Sequence, residues 1–192
     1  LVIDTDPQMS AKNWHDKSKG AGFPLKNIEV VCLTSPEDVG DRLQARQAED
    51  IVLIDVQGTA AGALGTAVVH ADFVIIPTRA HIFDLEQAIA LVRHVKSLGG
   101  RHRTIPYGVL LNAVNGIERN TMAFRTAMTL LAQSKVDVLD AFLSQRPTYA
   151  AVATAGTLYE VSPSNKAIQE ARDQTNYLAA EVIKRLQGSE AA

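Results

Sequence analysis

The sequence predicts an α/β protein built on a doubly wound, mostly parallel sheet with helices on both faces. Two short apolar runs each end in an aspartate, one at Asp4 and one at Asp55. Buried parallel strands have this composition, and ligands bind at the carboxyl ends of such strands. Helix-like segments alternate with the strand-like runs, as in parallel crossover units. A chain of 192 residues fits one domain of this kind.

The first half of the chain begins with the strand that ends at Asp4. Pro7 stops this strand because it has no N–H to donate to a ladder. Ser35 and Pro36 have the form of a helix start, and Trp14 is expected to be a packing residue. The segment at 59–70 is rich in Gly and Ala, which gives weak helix propensity but permits close packing or a nucleotide-dependent switch. The remaining predicted elements are a helix over 9–19, a strand over 28–33, a helix over 35–48 and a strand over 50–55.

The second half continues the alternation. Asp84 and Gln87 resemble a capping box at the start of a helix. The predicted elements are strands over 73–77, 107–111 and 136–143, and helices from 84, over 119–134 and from a capping Ser164 to about 187. Apolar residues at helical spacing are predicted core positions: Leu85, Ala88, Ile89, Val92 and Val95 in one helix, and Met122, Phe124, Met128, Leu130 and Leu131 in the next.

The two aspartate-ended strands carry the chemistry. Asp4 and Asp6 lie at i and i+2 of an extended segment, so both carboxylates can face one site. Asp55 ends a hydrophobic run and is followed by Gly58, the form of a Walker B strand, whose carboxylate holds Mg²⁺ beside nucleotide phosphates. Either stretch alone also fits an ordinary strand followed by a turn, whereas the two together indicate a shared Mg²⁺–nucleotide site.

Composition limits the function classes. The formal net charge of −2 argues against a protein that coats nucleic acid along its whole surface but allows a local basic patch. Cys32 is the single cysteine, so it forms no internal disulfide; it fits a reducing cytoplasm and a core position. No apolar run approaches the length of a membrane span.

Several motifs resemble those of ParA-type partition ATPases, the deviant Walker A group that includes MinD. The stretch from Ile3 to Ala11, followed by Trp14, is similar to their second motif, and Val52 to Asp55 is similar to their Walker B. The strand at 72–78 and the region at 146–167 are similar to the following strand and to the C-terminal region. Val56-Gln57-Gly58 departs from the Thr-Pro-Pro of many members, which indicates a divergent branch nearer the conjugation-associated members.

The resemblance implies roles for six residues. Asp6 would orient or activate the attacking water, Asp4 would help to hold the hydration shell of Mg²⁺, and Asp55 would act through that shell as the Walker B carboxylate. Asn112 would read adenine, although an asparagine in this position also fits a turn cap. The cofactor-binding residues implied by the resemblance are Asn112, Arg146 and Pro147, the catalytic residues are Asp6 and Asp4, and the metal ligands are Asp55 and Asp4.

The implied function is an ATP- and Mg²⁺-dependent ATPase that acts in plasmid or chromosome segregation or in conjugative DNA transfer. ATP-dependent homodimers would bind DNA without sequence preference and work with a ParB-like or other partner protein in the cytoplasm, at the nucleoid. The candidate DNA contacts are Arg101, Arg103, Lys166, Arg172, Lys184 and Arg185.

Three alternatives stay open. A MinD-like protein would position a membrane or protein assembly, but the polar, glycine-interrupted end of this chain disfavours a membrane helix. A P-loop ligase similar to dethiobiotin synthetase is disfavoured by the Asp-Pro-Gln after the first aspartate. A non-catalytic scaffold is the third alternative.

The family's Gly-rich loop with Lys and Thr is missing from the chain. The stretch at 17–22 lacks the Gly-x-x-x-x-Gly-Lys spacing, and the sequence starts in mid-strand at Leu1. We therefore expect residues 1–192 to be a single ParA-like domain from which the first strand, the phosphate-binding loop and the first helix are absent. The 192-residue chain alone is expected to be inactive, because this loop supplies the N–H cradle and the lysine that bind phosphate.

Overall fold

The computed structural model describes residues 1–23, 25–45, 51–57, 61–100, 103–160 and 165–189. Its elements are, in chain order, β1 (Val2–Asp4), α1 (Ser10–Gly20), β2 (Val30–Cys32), α2 (Pro36–Gln44), β3 (Leu53–Asp55), α3 (Ala61–His70), β4 (Val74–Thr78), α4 (Ile82–Gly99), β5 (Tyr107–Val114), a 3₁₀ turn (Glu118–Asn120), α5 (Met122–Ser134), β6 (Val138–Ser144), α6 (Pro147–Thr154) and α7 (Lys166–Ser189). Every described strand pair is parallel, and the predicted α/β class is confirmed.

The chain divides into two compact units. The first unit contains the chain up to His70 and the segment that begins at Tyr149, and the second contains the chain from Ala71 to Thr148 and α7. Each unit holds a three-stranded sheet, in the order β2-β1-β3 in the first unit and β4-β5-β6 in the second.

In the first unit, β1 lies between the two strands that follow it in sequence. The chain therefore steps to one side of β1 and returns to the other, which makes the carboxyl end of β1 a topological switch point. Helix α2 covers one face of this sheet through a buried cluster of Ile3, Val39 and Leu43. The strand residues packed against this cluster are Leu1, Val31, Leu33, Val52 and Ile54.

The segment after β6 returns to the first unit and closes on α1. The indole Nε1 of Trp14 donates to the carbonyl oxygens of Val152 (3.0 Å) and Gly156 (3.1 Å). The backbone N–H of Gly156 donates to Ser18 Oγ at 2.8 Å. Gly156 has φ +78°, and a Cβ there would lie 3.1 Å from the Phe23 ring, so glycine is required. The predicted packing role of Trp14 is confirmed.

In the second unit, α4 buries all five of its predicted apolar positions. Strand β6 is bulged, because Val109 pairs with Val138 while Leu111 pairs with Phe142. The bulge frees backbone N–H groups, and the Glu181 carboxylate of α7 accepts from Asp140 N at 3.0 Å and Ala141 N at 2.8 Å.

Further side chains of α7 cover the outer edge of β6. Gln174 accepts from Ser144 N at 3.2 Å and donates to Ser144 Oγ at 2.8 Å. Arg185 forms ion pairs with Asp137 at 2.6 Å and Glu181 at 3.0 Å. A helix that satisfies a strand edge in this way protects it from pairing with other chains.

Several predicted boundaries shift. The predicted capping box at Asp84 is wrong: α4 begins at Ile82, and the Asp84 carboxylate instead accepts from Arg79 Nε at 2.8 Å. Strand β5 continues past Asn112 to Val114. Met122 was expected in the core, but it is 74% exposed because it opens α5 on the outer side of the helix.

Other predictions on helices are settled in part. Ser35 caps α2 as expected, since its Oγ accepts from Asp38 N at 3.1 Å. The Gly- and Ala-rich segment does form a helix, α3, over its described residues. A Cβ on Gly62 would meet Pro36 Cγ at 3.3 Å, so the close approach at this glycine is to helix α2, whereas one interpretation of the segment was tight packing of a helix on the sheet. Three sequence predictions fall outside the described residues: the cap Ser164, Gly58 and the end of the second helix at 46–50. At the start of α7, Asn165 Oδ1 accepts from Ala167 N.

The Glu181 contact gives a stability prediction. Desolvation tends to raise the pKa of Glu181, but the N–H donors of Ala141 and Asp140 and the Arg185 guanidinium outweigh it and lower the pKa below its usual value. We expect Glu181→Gln to lower the free energy of unfolding by about 1–3 kcal/mol at neutral pH, because the amide NH₂ must face a backbone donor.

The pH dependence checks the cause. A lowered carboxyl pKa stabilises the fold above the ordinary value of 4.5, and this stabilisation is lost as the pH falls through the folded-state pKa. Urea unfolding at several pH values should therefore show that the difference in free energy of unfolding between the wild type and Glu181→Gln becomes smaller in acid. The exposed Glu86→Gln is the control, and an equal loss in both variants would contradict the assignment.

Candidate functional site

Three carboxylates meet at the switch point of the first unit. Parallel pairing places Asp4 of β1 directly beside Asp55 of β3, and Asp6 follows after one residue. Since residues paired in register lie on the same face of a sheet, the side chains of Asp4 and Asp55 share the face opposite α2. The predicted convergence of the two aspartate-ended strands is therefore present in the structure.

Asp4 is fully buried, and both oxygens of its carboxylate bind backbone donors. Oδ1 accepts from Asp6 N at 3.1 Å, and Oδ2 accepts from Lys12 N in the first turn of α1 at 3.1 Å. A buried charge needs such partners. Asp4 thus joins the end of β1 to the start of α1 and fixes the loop that carries Asp6.

Thr5 is a site residue that the sequence analysis missed. Its backbone N–H and its Oγ1 both donate to the carbonyl oxygen of Asp55 at 2.9 Å, and the residue is 2% exposed. Thr5 therefore ties the loop after β1 to the end of β3 and keeps Asp6 near Asp55. The only signal in the sequence is a short hydroxyl side chain between two aspartates.

Asp6 is half-buried, and one of its two carboxylate oxygens accepts a hydrogen bond from a backbone N–H. Its Oδ1 accepts from Gln8 N at 2.8 Å, and no described residue bonds Oδ2. Met9 N then donates to Asp6 O at 2.8 Å, closing a turn with Pro7 in its second position. Met9 has φ +53°, a left-handed conformation that is unfavourable for a residue with a Cβ. Strained backbone of this kind clusters at functional sites.

The electrostatics of the site favour a cation. Partial desolvation raises the pKa of the Asp55 carboxyl, and the negative charges of Asp4 and Asp6 raise it further. The residue as a whole remains exposed, and no described residue forms a hydrogen bond with its carboxylate. Cys32 lies beside Asp4 in β2, and desolvation followed by the same two charges raises the pKa of its thiol, so it stays protonated at neutral pH.

The donor set fits Mg²⁺ held in the presence of phosphate. Among the described residues, no three His, Cys, Asp or Glu side chains form a preassembled metal site. Mg²⁺ does not require one, because it is usually held by one or two carboxylates together with water and phosphate oxygens. Asp55 offers both of its oxygens, and each oxygen of Asp4 retains a second acceptor position.

The predicted base-binding residues belong to the second unit: Asn112 lies in β5, two residues before its end, and Arg146 and Pro147 follow the carboxyl end of β6. Asn112 is exposed, and its Oδ1 accepts from Ala113 N at 2.8 Å, which leaves the NH₂ group as its outward donor. Ala113 has φ +52° where the β5–β6 pairing is irregular, and such irregularities redirect side chains. Arg146 Nη1 donates to Glu170 at 2.7 Å, while its buried Nε has no hydrogen-bond partner among the described residues. Pro147 is the first residue of α6.

Comparisons with known proteins agree with this geometry. The family model described as VirC1 protein matches residues 4–185. The MinC:MinD cell division protein complex of Aquifex aeolicus has a TM-score of 0.63 and 13% identity, with 94% of this chain and 83% of that chain covered. The MinD cell division protein of the same organism has a TM-score of 0.61 and 15% identity, with 94% and 84% covered. No protein with a curated description matches the sequence. The MinD-like fold is thereby confirmed.

The different bonding of Asp4 and Asp6 leads to a prediction. Asp4→Asn must turn its NH₂ group toward the N–H of either Asp6 or Lys12, so we expect the free energy of unfolding to fall by about 1–3 kcal/mol. Asp6→Asn keeps an oxygen for Gln8 N, and the expected change is within about 0.5 kcal/mol. Urea unfolding of the two variants side by side measures the difference. Equal losses would show that Asp4 does not hold the loop.

Proposed function

Because the chain belongs to the VirC1 protein family, we propose that it is the core of a ParA/MinD-type ATPase that acts in the segregation or transfer of DNA. Residues 1–192 would form a single ParA-like domain that lacks the first strand, the phosphate-binding loop and the first helix. The observation that carries the proposal is the convergence of Asp4, Asp6 and Asp55 at the switch point of a parallel sheet.

Each of the three aspartates would have a different role in ATP hydrolysis. Asp55, whose pKa is raised by partial desolvation and then by its negative neighbours, would bind Mg²⁺, with Asp4 bonding the hydration shell of the metal. The metal would neutralise charge on the phosphate oxygens of ATP. Asp6 has a carboxylate oxygen that no described residue bonds, and this oxygen would orient the attacking water. Asp4 and Thr5 would hold Asp6 in place through the backbone bonds described above.

The exposed side of β3 supports the need for a further element. Ile51 and Leu53 are 76% and 59% exposed, although they belong to an apolar run beside β1. Because these residues lie on the sheet face opposite α2, we propose that the helix and the Gly-rich phosphate-binding loop named above cover this face in the natural protein. Asn112, Arg146 and Pro147 remain the proposed contacts to adenine, and the orphaned Nε of Arg146 is a donor that a nucleotide could use.

Dimerisation and DNA binding form the finer part of the proposal. A homodimer would make twice as many contacts with DNA phosphates as one subunit. Because the dimer would form only in the ATP state, nucleotide would control binding to DNA. The described helices include none that is both long and apolar enough to cross a bilayer. The alternative, a MinD-like module that positions a protein assembly, would keep the ATPase site but would not bind DNA.

The first test concerns hydrolysis in the full-length protein. We expect Asp6→Asn to reduce kcat by at least about 100-fold, because a group that positions or activates a nucleophile contributes this much, while ATP affinity is retained. Asp55→Asn should weaken ATP binding in the presence of Mg²⁺ and leave it unchanged in EDTA. Turnover and fluorescent-nucleotide titrations measure these effects.

Asp41→Asn, an exposed acid on α2, is the control for both measurements. Full activity of Asp6→Asn would remove Asp6 from the mechanism. Loss of affinity by Asp55→Asn in EDTA as well would make Asp55 a structural residue.

The second test concerns DNA and chooses among the candidate cations. Arg185 is committed to Asp137 and Glu181, and Arg103 donates to the carbonyl oxygen of Ala71 at 2.8 Å. Arg101 lies outside the described residues. Lys184 is exposed on α7, so we expect Lys184→Glu to weaken duplex binding for all sequences and to make its salt dependence shallower.

Filter binding at two salt concentrations, with ATP and with ADP, measures this effect, and Lys26→Glu in the first unit is the control. Binding that is absent, or equal in both nucleotide states, would contradict the DNA-partition proposal and favour a protein-assembly role.

A further inference from the structure

A groove lies beside the outer face of α5 in the second unit. Its volume is about 320 Å³, and its lining residues are Ile82, Met122, Arg125, Thr126, Thr129, Leu130 and Gln133. Ile82 and Leu130 are half-buried, whereas Met122 is 74% exposed. The groove therefore combines an apolar floor with an accessible rim.

The exposed methionine is held in place by the start of its helix. Thr121 caps α5, with its Oγ1 accepting from Phe124 N at 3.2 Å. Phe83, in the first turn of the neighbouring α4, is also 65% exposed. Large apolar side chains that remain in water at the starts of two packed helices are typical of interaction sites, and methionine adapts well to a partner surface.

Charge defines the occupant. Arg125 is the only charged residue in the lining of the groove, and no described residue forms an ion pair with it. Asp84 is the acidic residue that follows the lining residue Ile82 most closely in the sequence, and it already forms an ion pair with Arg79 at 2.8 Å. The groove is thus a positive, partly apolar site on a chain of net charge −2.

We propose that this groove binds a helical segment of a partner protein that carries a large aliphatic side chain and a carboxylate about one turn apart. Met122 and Arg125 stand three residues apart on α5, so they lie on the same face of the helix. The aliphatic side chain would fill the space over Ile82 and Leu130, and the carboxylate would pair with Arg125. None of its lining residues is among those proposed for the ATPase chemistry.

The test uses a fluorescein-labelled, helix-favouring peptide of about 15 residues, the length at which isolated helices begin to form. The peptide carries Leu and Glu one turn apart, and a matched peptide carries Lys in place of Glu. Fluorescence anisotropy should show that the wild-type protein binds the Glu peptide at least about tenfold more tightly than the Lys peptide, as expected for complementary against like charges.

The variants assign the binding to the groove. Arg125→Glu should reverse the preference, Met122→Ser should weaken the binding of the Glu peptide, and Arg93→Glu, an exposed cation on α4, should behave as wild type. Circular dichroism checks that each variant folds. Equal affinity for both peptides, or an equal loss in Arg93→Glu, would overturn the proposal.

The competing occupant is a second copy of the chain. Sedimentation equilibrium of the wild type and of Met122→Ser without nucleotide tests this occupant apart from the proposed ATP-dependent dimer, because a groove used between copies would lose self-association in the variant. Such a loss would overturn the partner proposal, and a monomeric wild type that still selects the Glu peptide would support it. Neither result changes the expected rate of ATP hydrolysis, so failure here is distinguishable from failure of the proposed function.

Discussion

The buried carboxylate of Asp4 is the contact on which the first unit depends. Burying a charge is unfavourable unless donors surround it, and here both donors are backbone N–H groups, one from the loop after β1 and one from the start of α1. Asp4 thereby sets where the helix begins and where Asp6 points. The same residue is too enclosed to be a freely exposed metal ligand, so the exposed carboxylate of Asp55 is better suited to direct contact with a cation.

Strands β6 and β3 each stand at an edge of their sheet, but they differ in how their groups are covered. On β6, the polar side chains of α7 replace a missing neighbouring strand, and they also satisfy the extra N–H groups of the bulge. On β3, apolar side chains next to the catalytic candidates face solvent. These apolar side chains of β3 lie on the sheet face opposite α2, so a further element packed on that face would bury them.

The sequence predicted the parts of the fold that follow from strong local signals. Apolar periodicity identified the buried face of α4, and Ser35 with Pro36 identified the start of α2. Asp84 was wrongly assigned to a capping box because an acid near the start of a helix can either cap the helix or form an ion pair, and here it pairs with Arg79. Met122 was misread because spacing shows that residues share a helix face but not which element covers that face.

The site could be predicted only in part. The apolar runs that end at Asp4 and Asp55 indicated the position of the carboxylates, since strand ends meet at one sheet edge. The roles of Thr5 and of the Lys12 backbone depend on hydrogen bonds that link distant elements, and no sequence pattern specifies these bonds. Likewise, the positive φ of Ala113 results from irregular pairing with β6.

The return of the chain to Trp14 has a consequence for synthesis and folding. The indole N–H of Trp14 bonds residues 138 and 142 positions later in the chain, at Val152 and Gly156. A ribosome makes these partners only after β4, β5 and β6, so α1 must wait, with its indole unsatisfied, while the strands of the second sheet are made. Such long-range closure slows folding and prolongs the exposure of apolar surface. The nascent chain should therefore depend on chaperones more than its size implies.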